Sequence, residues 1–290
     1  MILVTGASGQ AGGQVLQAVL RTGKPVKALY RSEKDASSAP TGAQPVIADF
    51  ADRGAMDRAL QGVDQVYLVC GPVPELVELE SKVIEACKAA GVKQLVLNSA
   101  LGAGNFHASF PRWHAAVEKY LVASGLPYTI VRPNSFMQNF VNFFTPTIRT
   151  QGVFYSSMGK ARTSFIDVRD VGAFIARTFE SPAHAGKTYE LNGPEALTYD
   201  EVANLISQVT GAPARYVDIP FPQQRQSMLD QGMPEWQADA LLDLQRYYVE
   251  GGGSEVDTLF SDVMGRPAIR MAQFLKDFAG AFTKPLANPA

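Results

Sequence analysis

The segment Val4-Thr5-Gly6-Ala7-Ser8-Gly9-Gln10-Ala11-Gly12-Gly13 decides how this chain is read. It follows the short apolar run 2–5 and opens a stretch in which Val15, Leu16, Val19 and Leu20 fall on one helical face. The order is therefore strand, glycine turn, helix. A pyrophosphate needs backbone within hydrogen-bond range, which excludes side chains. It also needs a helix N-terminus, whose unpaired N–H groups and dipole attract anions. The glycines follow the spacing G-x-x-G-x-x-G rather than G-x-G-x-x-G. An ordinary glycine turn shares this composition, and the position between first strand and first helix is what selects a dinucleotide site. Gly6, Ser8, Gly9, Gln10, Ala11 and Gly12 are its candidate residues.

Working outward, further apolar runs lie at 26–30, 46–48, 66–70, 95–98 and 128–132. Several are apolar at consecutive positions, as expected of strands covered by helices on both faces. Between them Leu79, Val83, Ile84 and Cys87 share a helical face, and Gly91 and Gly125 stand where helices would end in a left-handed cap. Such alternation predicts an α/β fold with a doubly wound parallel sheet. After Pro133 the pattern changes. A strand–helix pair is expected at 164–179, a short strand at 189–192, a capping box at Thr198 and Glu201, and an amphipathic helical tail from 221 to 253. In the helix after the capping box Val202, Leu205, Ile206 and Val209 point inward. The expected domains are a Rossmann-type unit at 1–153, completed by about 164–180, and a smaller C-terminal α/β substrate unit at 181–290.

Composition narrows the partner. The chain has 290 residues, 46% hydrophobic and 19% charged, with net charge −2. That suffices for a sizeable core, and no run of Lys or Arg forms a footprint for nucleic acid or anionic lipid. No apolar stretch reaches the roughly 18 residues a bilayer requires. The first strand begins at Ile2, which leaves no room for a signal peptide. The two cysteines, Cys70 and Cys87, look like small buried hydrophobes. A cytoplasmic protein with a small-molecule partner is expected. No His/Cys/carboxylate cluster has metal-ligand spacing, so no metal is expected.

The end of the second strand bears on cofactor choice. An acidic residue there would bind a ribose 2′-hydroxyl, whereas an arginine accommodates a 2′-phosphate. Here the strand ends Tyr30-Arg31-Ser32. Arg31 therefore favours NADPH over NADH, although a solvated surface arginine is the plain reading and NAD stays open. Asp49, at the end of the third strand, is placed to meet the adenine amino group or to make an ordinary turn.

Together these features resemble the NmrA-like family of atypical short-chain dehydrogenases. The glycine loop, Arg31 and Ala48-Asp49-Phe50 match its pattern, as do Tyr128-Thr129-Ile130-Val131-Arg132-Pro133-Asn134, Phe165-Ile166-Asp167-Val168-Arg169-Asp170-Val171 and Gly265-Arg266-Pro267. The likeness spans almost the whole chain and is strongest to a branch of NADPH:quinone and triphenylmethane reductases. It implies a Rossmann domain that holds NADP(H), a smaller substrate domain, and hydride transfer to a quinone-like or other conjugated aromatic acceptor. With the rule that ligands lie beyond the carboxyl ends of the strands, it adds Phe50, Cys70, Gly71, Pro72, Ser99, Pro133 and Asn134 to the cofactor candidates. A non-catalytic NADP(H) sensor and a tailoring enzyme for polycyclic quinones are alternative readings. A homodimer stays open as the assembly.

Short-chain dehydrogenases typically place Tyr-x-x-x-Lys on one helical turn so that the lysine lowers the tyrosine pKa. The one such spacing here, Tyr30–Lys34, lies beside the adenosine end. The helix after the fifth strand instead carries His114 and Glu118 at i and i+4. The lysine that isoflavone-reductase-like relatives place on it falls at Phe110. A quinone tolerates direct hydride transfer because its anionic product is resonance-stabilised, so an acid is dispensable. His114 is the candidate catalytic residue, as donor or as substrate-orienting group, against a plain structural histidine. His107 and His184 sit in loops. Trp113, Phe136, Met137 and Phe140 are the candidate substrate wall, with core packing expected for half of the aromatic run 136–144.

Overall fold

The computed structural model describes residues 1–104 and 108–283, so His107 lies outside the described residues. These residues form two compact units. The first takes residues 1–104, 110–133 and 168–191, and the second takes 108–109, 134–167 and 192–283.

The first unit runs β1 (Ile2–Val4), α1 (Gln10–Arg21), β2 (Val26–Tyr30), α2 (Glu33–Ala36), β3 (Ala43–Ile47) and α3 (Arg53–Ala59). It continues through β4 (Gln65–Leu68), α4 (Leu76–Ala89), β5 (Gln94–Asn98), α5 (Ser109–Ser124) and β6 (Tyr128–Pro133). The chain then contributes α6 (Thr145–Gln151) and β7 (Val153–Ser156) to the second unit. It returns to the first for α7 (Val168–Thr178) and β8 (Lys187–Leu191). The rest of the second unit is α8 (Tyr199–Thr210), β9 (Arg215–Asp218), α9 (Phe221–Asp230), α10 (Glu235–Val249), α11 (Leu259–Met264), α12 (Met271–Asp277) and α13 (Ala279–Phe282).

Seven strands of the first unit form one parallel sheet in the order β3-β2-β1-β4-β5-β6-β8. Order reverses between β1 and β4, which is the switch point where this architecture binds ligands. Central strands β1, β2 and β5 are buried at every position, and the one charged side chain among them, Lys27, donates to the Ala59 and Gln61 carbonyls at 3.0 and 2.7 Å. Helix α7 crosses α1 closely: a Cβ on Gly172 would stand 2.7 Å from the Gln14 backbone. The cap glycines Gly91 and Gly125 adopt φ of +70° and +79°, as the sequence pattern required.

Three boundaries differ from the sequence expectation. Residues 164–167 are not a strand: Ile166 makes only an isolated bridge to Phe136 before α7 starts. The run expected at 189–192 is β8, which pairs with β6 and completes the first unit's sheet. Of the residues expected in the first unit, 134–153 and 164–167 fall in the second. Strand β7 pairs in parallel with β9, more than fifty residues on, a partnership that local periodicity does not encode.

The second unit is built on aromatic packing. Phe140 lies 5.1–6.0 Å from the ring centroids of Phe144, Phe154, Phe165 and Tyr199. Thr198 and Glu201 close a reciprocal capping box on α8, with Val202 and Ile206 buried below it.

Candidate functional site

The glycine loop is shaped by close backbone approach. Thr5 Oγ1 donates to the Val69 carbonyl at 3.2 Å and accepts from the Val69 N–H at 2.9 Å, which ties the loop to the end of β4. Gly6 has φ +57°, and a Cβ there would stand 2.7 Å from Val69. A Cβ on Gly12 would lie 2.1 Å from the Gly6 carbonyl oxygen, so helix and loop meet only because residue 12 is glycine. Gly9 differs. Its backbone (φ −85°, ψ 171°) suits any residue, and a Cβ there would stand 3.2 Å from the Gly6 carbonyl oxygen, a tight contact that a small shift of the loop relieves. No side chain caps α1, and no acid occupies its first turn. Helices α3 and α8, by contrast, are capped by Asp52 and Thr198. The N–H groups of α1 and its dipole are thus available to an anion.

Arg31, at the end of β2, is exposed and forms no ion pair among the described residues. Asp49 is exposed after β3, with one carboxylate oxygen accepting from Ala51 N–H at 2.8 Å and the other open. Phe50 is half-buried. Its ring packs against the first unit's core and lines a cavity of about 350 Å³ with Met56, Lys82 and Tyr120. Cys70 is half-buried after β4, and burial, then the nearby Glu80 carboxyl, pushes its thiol up to about 12. A thiol held protonated is not a nucleophile. Gly71 and Pro72 are exposed beside it.

At the ends of β5 and β6 lies a buried network. Ser99 Oγ donates to Glu118 Oε1 at 2.5 Å, and Ser99 is 2% exposed. Arg132 forks onto both oxygens of Glu118 at 2.9 and 2.6 Å and reaches Glu190 at 3.0 Å. Bidentate pairing of this kind is strong and directional. The Ser99 proton is committed, so this serine offers lone pairs but no acid. Pro133 is buried in the β6–β8 ladder, its carbonyl accepting from Leu101 N–H at 3.1 Å. Asn134, 2% exposed in the second unit, spends its amide on Asn192 (2.9 Å), Gly253 (3.0 Å) and Ser135 (2.7 Å). Both residues are structural braces here, because buried amides take the nearest protein partners.

His114 sits on α5 with Nδ1 sealed from solvent and without a hydrogen-bond partner. Burial pulls its pKa down to about 4, against the opposing pull of the Glu118 carboxylate. The ring is therefore neutral at pH 7. Trp113, half-buried, meets Phe110 edge-on at 5.4 Å and packs on the first unit's core. In the second unit the expected wall divides. Phe140 and Met137 are 1% and 0% exposed, so they are interior residues rather than wall. Phe136 is half-buried, and Phe143 is 65% exposed.

A buried carboxylate on α4 escaped the sequence reading. Glu80 stands on the inward stripe of α4 with Leu76, Val83, Ile84 and Cys87, and is 0% exposed. The signal was present, since a carboxylate four residues from apolar positions on both sides breaks the stripe. The Ser99–Glu118–Arg132 network had no such signal, because three elements supply it.

Glycine loop, uncapped helix and switch point define a dinucleotide-binding protein of the Rossmann type, and whole-chain comparison places it more narrowly. The model of the NmrA-like family matches residues 1–266, and the chain belongs to that family. It is 36% identical over 97% of its length, and 99% of the relative's, to the NAD(P)H azoreductase of Xenophilus azovorans. The Escherichia coli NADPH-dependent quinone oxidoreductase QOR2, complexed with NADPH, superposes with TM-score 0.87 at 29% identity, covering 96% of this chain and 99% of that one. The triphenylmethane reductase of Citrobacter sp., complexed with NADP(H), shares the fold at TM-score 0.86 and 24% identity, covering 96% and 99%. Among the described residues no helix is long and apolar enough to cross a membrane.

Proposed function

We propose that this protein is an NAD(P)H-dependent oxidoreductase that reduces quinone-like or other conjugated aromatic acceptors, azo compounds included. The observation that carries the reading is the uncapped glycine loop at the β1/β4 switch point, in a chain that aligns end to end with an azoreductase and an NADPH-bound quinone oxidoreductase. The residues present fit the cofactor: a loop drawn tight on α1 by the glycines at 6 and 12, a helix N-terminus with no side-chain cap and no acid in its first turn, and the unpaired Arg31. When bound, the dinucleotide supplies a hydride.

The chain's own residues do the rest. Gln10, Ala11 and Gly12 present backbone N–H groups to the pyrophosphate, with Gly6, Ser8 and Gly9 shaping the approach, the Gly9 N–H being held by the Gly6 carbonyl at 2.8 Å. Arg31 pairs with a 2′-phosphate, which makes NADPH the preferred form, and Asp49 takes the adenine amino group on its open oxygen. Gly71 and Pro72 border the nicotinamide side. Trp113 in the first unit remains a candidate aromatic contact for the substrate, and so, taken by itself, does Phe136 in the second. His114, neutral at pH 7, orients substrate and does not protonate it. An acceptor whose reduced anion is resonance-stabilised needs no enzymic acid, and this is why conjugated acceptors suit the site better than isolated ketones. The test is NADPH consumption against a panel of quinones, azo dyes and simple ketones, with products identified. Turnover of ketones alone overturns the acceptor class. Tight NADPH binding without turnover of any acceptor assigns the chain to redox sensing. Light scattering of the same sample reads whether it is a homodimer.

A further inference from the structure

Between α3, α4 and α5 of the first unit lies the cavity of about 350 Å³, a volume within the range of small-molecule sites. Of the candidate cofactor residues only Phe50 touches it. Its apolar walls are the rings of Phe50 and Tyr120 and the thioether of Met56. The turn that carries Phe50 and Ala51 into it is held at both ends. The Asp49 carboxylate accepts from Ala51 N–H at 2.8 Å, the Asp49 carbonyl accepts from Asp52 N–H at 3.0 Å, and Asp52 caps α3 through Ala55 N–H at 2.9 Å. We propose that this cavity is a binding site of its own, distinct from the dinucleotide site, for an uncharged planar aromatic molecule of one or two rings that carries a hydroxyl or a carbonyl.

The charges on the rim select against an ion. Two cations, Arg53 and Lys82, and two carboxylates, Glu78 and Glu85, line the cavity, so their charges cancel. Each is already engaged. Lys82 pairs with Glu78 at 2.6 Å, Arg53 pairs with Asp57 at 2.7 Å, and the Tyr120 hydroxyl donates to Glu85 at 2.9 Å. A charged ligand would give up hydration and find no unpaired counter-charge in return. Two rings and a polarizable thioether instead favour a flat conjugated molecule, which stacks or meets them edge-on. The polar handle is Ser81 on α4. It lines the cavity, is half-buried, and its hydroxyl makes no hydrogen bond among the described residues. A hydroxyl both donates and accepts, so it serves a phenol and a quinone carbonyl alike. One such group in an apolar wall fixes a ligand's orientation. Binding here does not require a dinucleotide.

The experiment is titration of the whole chain with 1-naphthol, followed by nuclear magnetic resonance, without NADPH and at several NADPH concentrations. Saturable binding with a Kd below about 1 mM is expected, with Overhauser contacts from the naphthol protons to the Tyr120 ring and the Met56 methyl. 1-Naphthoate, which keeps the rings and adds a charge, should bind roughly tenfold weaker or worse. Ser81→Ala should weaken 1-naphthol about fivefold, as for one neutral hydrogen bond. Ser81→Trp, which fills the cavity from α4, should abolish binding and leave the circular dichroism unchanged. The inference is overturned by the absence of saturable binding, by naphthoate binding as tightly as naphthol, or by binding that survives Ser81→Trp. A naphthol Kd that rises in proportion to NADPH concentration marks one shared site and overturns it as well. If Ser81→Trp does not fold, the wild-type Overhauser contacts decide alone, and contacts to side chains outside the cavity overturn the inference.

Discussion

Replacing His114 by alanine separates direct hydride transfer from acid catalysis. Its pKa is held down to about 4, because the ring is buried and Nδ1 has no partner. At pH 7 that lies three units below the solvent, so about one molecule in a thousand carries the imidazolium. A well-matched acid contributes roughly 10²–10⁴-fold, and a thousandfold shortage of the charged form removes most of that. The expected loss of kcat for a good quinone acceptor is below tenfold, with KM raised by the missing orienting contact. The pH–rate profile should show no step near 6.5 in either protein. A stability signature accompanies it. The folded pKa lies below the unfolded value of 6.5, so the contribution is present above pH 6.5 and is lost as pH falls toward 4. Two and a half units amount to about 3 kcal/mol over that window. Thermal unfolding from pH 4 to 7.5 should therefore show a shallower acid limb in His114→Ala than in wild type. A thousandfold fall in kcat at unchanged KM, with the fold intact, refutes the reasoning and makes His114 the proton donor.

Glu80→Gln should act on stability with the opposite sign. Its folded pKa is raised from 4.5 to about 8, so its contribution is present below pH 4.5 and lost as pH rises to about 8. Denaturant unfolding at pH 8 should find the variant more stable than wild type by several kcal/mol, on the order of 1.4 per pKa unit, and equal stabilities at pH 5 and pH 8 would contradict the burial argument. Arg31→Ala should weaken NADPH binding by about 1.5–3 kcal/mol, as for a charge-assisted contact, and leave NADH little changed. An equal loss for both cofactors removes the 2′-phosphate assignment. Gly9→Val should fold and lose NADPH binding, whereas Gly12→Ala should fail to fold, since its Cβ would meet the Gly6 carbonyl at 2.1 Å. Circular dichroism with a cofactor titration distinguishes the two, and retained affinity in a folded Gly9→Val would place the cofactor elsewhere.

The sequence by itself determined what local chemistry controls. Strands, helices and caps of the first unit were readable because buried strands run apolar at consecutive positions and helices repeat every 3.6 residues. The glycine loop was readable because close backbone approach admits no other residue at position 12. Arg31 was readable from its place at the strand end. Tertiary structure alone decided the rest. Ser99, Glu118, Arg132 and Glu190 come from four elements, and no spacing along the chain announces that they meet. Phe140 and Phe143 sit three residues apart with similar chemistry, yet one is buried in a ring cluster and the other is 65% exposed. The pairing of β7 with β9 and the return of β8 to the first sheet depend on crossover connections, which local periodicity does not record. The ionisation states of His114 and Glu80 belong to the same class, for a pKa is moved by what surrounds the group after folding, and burial drives the one down and the other up.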